Sequence, residues 1–206
     1  MLHQKENNVK ALISLLVVVV FCASADASLI GLTKSPPDIT SDFISVSYNA
    51  TTHSFSASGL AEFMDLDGIK PADDRTIQDG DFNIAAVINS AGQATSGTFT
   101  VLGTIPEMSA NSGVLLTGSL FEFGSGGSLM DFVFTITGGD LASLFGSKVG
   151  VNLASNGGFA GSFAGNFQNT GSGVSDMFSV PEPVTLSLLL AAAPIALLRR
   201  LRRGQG

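Results

Sequence analysis

Carboxylates spaced two apart beside glycines are the residues of this chain best suited to chemistry. Asp65 and Asp67 precede Gly68, and Asp79 and Asp81 flank Gly80. Calcium takes roughly six to eight oxygen ligands in flexible geometry, so loops with alternating aspartates can wrap it. Asp65, Asp67, Asp79 and Asp81 are therefore a candidate structural calcium site. The spacing is not that of an EF-hand, because Ile69, Lys70 and Pro71 follow Gly68 and no glutamate closes the loop. The same composition also describes a solvated acidic loop. Catalytic chemistry has less to build on. His53 is the only histidine outside the leader, and no Gly-x-Ser-x-Gly, His-Glu-x-x-His or Gly-x-Gly-x-x-Gly motif occurs. A Ser-His-Asp arrangement would have to recruit His53 from a predicted hairpin. No catalytic residue is assigned, and the chain is read as a non-enzyme.

Charge narrows the partners. Four of the ten Lys/Arg and fourteen of the seventeen Asp/Glu fall within residues 28–179. So acidic a body lacks the clustered Lys/Arg that phosphate backbones require, which argues against nucleic acid as a partner. The single cysteine, Cys22, sits in the leader, so a chain cut after it has neither disulfide nor thiol chemistry. With no Trp and one Tyr, the aromatic core must come from phenylalanine. Sugar rings usually stack on Trp or Tyr, and Tyr48 alone is on offer for that.

The elements that would position these residues are strands. SDFISVSY (41–48) predicts a strand with Phe43 and Val46 inward, and HSFSA (53–57) its hairpin partner. Residues 62–81 read as one long acidic loop. Further strands are predicted at 82–89, 98–105, 114–123, 129–137 and 148–154. Residues 28–33 give a short strand, SLIGLT, before the Pro36-Pro37 turn. Asp140 is placed to cap one helical turn over 141–145. Phe159, Phe163 and Phe167 recur every fourth residue, but the glycines between them oppose a helix. That segment reads as a loop pinned by phenylalanines, and 171–179 as a linker. Short strands with Gly/Asn/Ser turns and no fixed repeat predict an all-β body, an antiparallel β-sandwich of jelly-roll type.

Both ends carry address signals. Residues 1–10 are polar with Lys5 and Lys10, and 11–21 are apolar. Ala23 and Ala25 supply the small residues of a cleavage site, so 1–25 is read as a secretory signal peptide. Cleavage before Asp26 is the first choice, and cleavage after Ala27 also fits through Ala25-Asp26-Ala27. At the other end, Val180, Pro181, Glu182 and Pro183 precede fifteen almost wholly apolar residues, 184–198. Arg199, Arg200, Arg202 and Arg203 close the segment. A bilayer core needs about 20 helical residues, so this is a short single transmembrane helix. Flanking Lys/Arg set orientation, so the arginine cluster should stay cytoplasmic.

The order Pro-Glu-Pro, short apolar helix, arginine cluster resembles the PEP-CTERM sorting signal of exopolysaccharide-producing Gram-negative bacteria. The resemblance covers residues 180–203. It implies delivery through the Sec translocon and recognition by an exosortase, a membrane transpeptidase that removes the tail. Val180, Pro181, Glu182 and Pro183 would form the recognition motif, and Arg199, Arg200, Arg202 and Arg203 the stop-transfer. The same tail type occurs on proteins labelled ice-binding, but a tail does not transfer a body's activity. The expected organisation is signal peptide 1–25, β-sandwich body 26–179 and sorting segment 180–206. The expected role is an exported structural or adhesive protein of the cell surface or exopolysaccharide matrix, held in the inner membrane before processing. Two alternatives stand beside it, a secreted hydrolase with an unrecognised site and an uncleaved, membrane-anchored periplasmic protein.

Overall fold

The computed structural model describes residues 29–68 and 74–181. Ala23, Ala25, Glu182, Pro183, the apolar tail and its four arginines lie outside the described residues, while Val180 and Pro181 lie within them. No helix among the described residues is long and apolar enough to cross a membrane.

Serine and threonine alternate with large apolar residues along most of the chain, and that period of two builds strands. In order they are β1 (Ser35–Asn49), β2 (Ser54–Asp65), β3 (Arg75–Thr76), β4 (Gln78–Ile88), β5 (Ala94–Ile105), β6 (Ala110–Gly126) and β7 (Leu129–Gly138). A single-turn helix, α1 (Ala142–Phe145), comes next, then β8 (Lys148–Ala154), β9 (Phe167–Gln168) and β10 (Gly173–Ser179). All pairings are antiparallel. The hydrogen-bonded order is β1-β2-β4-β5-β6-β7-β8-β10, and β10 pairs back onto β1. The body is thus a closed barrel of eight long strands, with β3 and β9 as short additions.

The all-β antiparallel expectation holds, and its sandwich form is corrected. A jelly-roll sandwich needs connections that cross between two sheets. Here each long strand pairs with the next long strand in the chain, so one sheet coils until its ends meet. Bulges make the coiling possible, since each adds bend and twist to its strand. One bulge lies in β1 between the pairs Asp42↔Leu60 and Ser45↔Ser58. Phe43 sits in it at φ +53 and is 63% exposed. The expected inward Phe43 is therefore wrong, because the extra residue shifts the alternation and Ile44 takes the buried position. Pro36 and Pro37 fall in a second irregularity, between Ser35↔Ser179 and Asp38↔Phe178, where the register skips and fewer ladder bonds are asked of the chain.

Other boundaries move for the same reason. The expected acidic loop shrinks, because its first and last parts are ladder residues of β2 and β4. Residues 29–34 are not a strand but a turn at Leu29–Ile30 followed by an irregular strap. The expected linker is β10, the strand that closes the barrel. Leu141 rather than Asp140 occupies the cap position of α1, and it makes no side-chain cap bond.

The interior is filled rather than hollow. Eight-stranded barrels either pack side chains inside or enclose one small ligand. Phe55, Phe99, Phe132 and Phe134 line the inside, with Phe132 and Phe134 stacked at 5.8 Å and Phe99 4.9 Å from Phe134. Small residues make room for them, and a Cβ on Gly118 would run into the Phe99 ring. Leu141 and Phe145 of the α1 region join the core where β7 ends and β8 begins. At the opposite end Phe159 and Phe163 enter from the 155–166 loop, and Phe163 meets Phe123 at 5.9 Å and Tyr48 edge-on at 5.0 Å.

Candidate functional site

The four aspartates expected to hold calcium do not converge. Asp65 ends β2 and is 1% exposed. Its Oδ1 accepts the backbone N–H groups of Asp67 at 3.0 Å and Gly68 at 2.8 Å in an Asx turn, while its Oδ2 is buried with no hydrogen-bond partner among the described residues. On the ladder Asp65 faces Asp38 of β1. Asp79 and Asp81 belong to β4, and Asp81 faces Leu102 of β5. The Asp81 Oδ2 accepts from Asn83 Nδ2 at 2.8 Å. β2 and β4 pair only from Ser54↔Val87 to Gly59↔Phe82, and beyond that β3 takes over the edge of β2. Asp65, Asp79 and Asp81 all lie beyond the β2–β4 ladder. Among the described residues no three His, Cys, Asp or Glu side chains gather to hold a metal.

His53 occupies the β1–β2 turn at φ +60, and its carbonyl accepts the Ile88 N–H at 2.9 Å. Tyr48, at the end of β1, is buried. Its hydroxyl donates to the Ile88 carbonyl at 2.7 Å, and burial pushes its ionisation above the ordinary tyrosine range. Both residues tie one end of the barrel together.

Val180 and Pro181 are the part of the expected sorting motif that is described. Val180 donates its N–H to the Lys148 carbonyl at 3.2 Å, and Pro181 is exposed. The motif therefore starts directly after the last barrel strand, with no spacer between.

Part of the outer wall carries rows of neutral polar side chains. Ser47, Ser56, Ala85, Thr98, Ser119 and Thr135 are successive cross-strand partners around the barrel. A neighbouring row runs through Ser45, Ser58, Asn83, Thr100 and Thr117. Hydroxyls bond along and between these strands, with Ser47 Oγ 2.8 Å from Ser56 Oγ and Thr117 Oγ1 3.1 Å from Thr137 Oγ1.

The wall is indented by a 580 Å³ groove where β1 and β2 meet β9, lined by residues that include Ser47, Asn49, Ser56, Asn166, Phe167 and Gln168. None of its lining residues is charged. Asn166 Oδ1 accepts from the Ala50 N–H at 2.8 Å, and Asn49 Oδ1 accepts from the Thr51 N–H at 2.9 Å. With each carbonyl engaged, each amide group is left as a donor held in place. Phe167 is stacked against Tyr48 at 5.2 Å with 22° between the planes, which fixes the groove's aromatic wall. A groove of hydroxyls, amides and one aromatic edge suits a neutral polyhydroxylated ligand better than an ion. The alternating serines and threonines are the sequence signal for the polar wall. The groove has no such signal, because it forms only when segments 116 residues apart meet, as Ala50 and Asn166 do.

Comparison with family models, with curated proteins and with solved structures returns no match.

Proposed function

We propose that the chain is an exported structural or adhesive protein of the cell surface or exopolysaccharide matrix. The observation that carries the proposal is the junction at Val180. The barrel's closing strand runs straight into Val180 and Pro181, so the Pro-Glu-Pro motif leaves a folded end with its first proline exposed. A proline-flanked segment of that kind stays extended, which suits recognition by a processing enzyme. In this reading the Sec translocon delivers the chain, the apolar tail holds it in the inner membrane, and an exosortase-like enzyme removes the tail. The neutral rows and the groove would then face hydrated polysaccharide.

The test is a peptide map of the native protein from separated inner membrane, outer membrane and culture medium. A chain lacking residues 1–25 and the arginine tail, outside the inner membrane, is the expected result. An intact arginine tail found only in the inner membrane overturns the sorting claim. The polysaccharide partner is checked separately, by retardation of the protein in native gels containing dextran. Mobility unchanged by dextran counts against the matrix role even where sorting holds.

A further inference from the structure

The amide-lined groove does not end at β2. A second indentation, of 390 Å³, lies over β2, β4 and β5 and meets the groove at Ser54 and Phe55. The two make one cleft across the neighbouring strands β9, β1, β2, β4 and β5. Two parallel rows of cross-strand partners form its floor. Gln168, Ser47, Ser56, Ala85 and Thr98 make one row, and Asn49, Ser54, Val87 and Ser96 the other. At about 4.8 Å between strands, the first row spans roughly 19 Å. Ala85 and Val87 are both exposed, and each stands between two hydroxyl-bearing partners. The middle of the floor is thus an apolar strip with hydroxyls on either side. At the β9 end, the amides of Asn49 and Asn166 are held as donors by their bonds to the Thr51 and Ala50 N–H groups. No charged residue lines either part.

We propose that this cleft binds an extended, uncharged polysaccharide chain laid across the strands, along the two rows. The faces of pyranose rings present C–H bonds and their edges present hydroxyls, which is the pattern that the apolar strip and its hydroxyl borders complement. A phosphate- or carboxylate-bearing polymer would find no Lys or Arg in the lining to pair with. A second copy of this chain carries the same net charge of −7, and like charge opposes that pairing. The length of the cleft favours several linked rings over a single sugar. β1 begins opposite Ser179, next to the Val180 junction, and ends at Asn49, so the cleft lies at the end of β1 away from that junction. The proposal rests on the matrix reading for the presence of such a polymer and names the part of the barrel that takes it.

The experiment is electrophoresis of the full chain, kept in a polyoxyethylene detergent, through native gels containing dextran, hydroxyethylcellulose, galactomannan or alginate. Retardation by at least one of the three neutral polymers is expected. Ala85→Arg and Thr98→Lys should each weaken it by at least about ten-fold, and Gln168→Ala by about five-fold. Thr135→Arg, two strands beyond Thr98, should leave it unchanged. Thermal melts check that each variant is folded, and Thr98→Lys decides if Ala85→Arg is not. Four-unit fragments of the retarding polymer should compete at a lower concentration than two-unit fragments. Equal competition overturns the extended cleft. Retardation that neither Ala85→Arg nor Thr98→Lys weakens overturns the cleft and leaves the matrix reading standing. Retardation by none of the neutral polymers overturns both, while the peptide map still decides sorting. Stronger retardation by alginate overturns the uncharged ligand. A dimer in sedimentation that Ala85→Arg breaks gives the cleft to a second copy and overturns the proposal.

Discussion

Tyr48 shows what one buried hydroxyl does for this fold. It is the only tyrosine, so any tyrosinate absorbance reports this residue alone. Burial raises its ionisation, which means the unfolded chain loses the phenolic proton first. Its contribution to stability is complete below the ordinary tyrosine value of about 10 and is lost as pH rises through the raised folded value. Tyrosinate absorbance should therefore appear together with loss of β-sheet circular dichroism above that pH. Ionisation in a chain that keeps its sheet signal would contradict this. Tyr48→Phe removes the bond to the Ile88 carbonyl and should cost about 1 kcal/mol in urea unfolding. Phe43 is the complementary case. Its apolar character reads as inward, yet a bulge turns it out, and only the register of β1 against β2 and β10 reveals that.

Two elements decide whether the barrel closes. The 155–166 loop has little regular structure, but Phe159 and Phe163 are buried and bind it to Phe167 through ring contacts of 4.9 and 5.6 Å. Phe163→Ala should destabilise the protein by about 3–5 kcal/mol, measured by urea denaturation, because it empties one end of the core. A cost below about 1 kcal/mol would mean the loop is not part of the core. β10 matters more. A chain stopped after Ser172 leaves β1 and β8 as open edges and should fail to give a cooperative thermal transition. A chain stopped after Pro183 should melt as the full-length protein does. The strands were largely legible as elements: the limits of β8 agree with the sequence reading, and β7 differs by one residue. β10 was not, because its glycine and serines resemble a linker until its partners are in place.

At the scale of the whole molecule, a filled barrel directs function outward. The interior is occupied by phenylalanines, and the neutral hydroxyl rows and the groove lie on the surface beside exposed apolar side chains such as Leu60 and Phe121. By itself the sequence determined the all-β antiparallel class, the phenylalanine core, the acidic charge and the terminal patterns on which the export proposal rests. Each of these depends on composition or on a short-range pattern, which are local properties. Tertiary structure alone decided that the sheet closes, that no three of the described carboxylates gather to hold a metal, that Phe43 points out and that Leu29 docks on Asp131. These depend on bulges and on partners far apart in the chain, such as Leu29 with Asp131 or Ala50 with Asn166, and no local pattern encodes which distant strand will supply them.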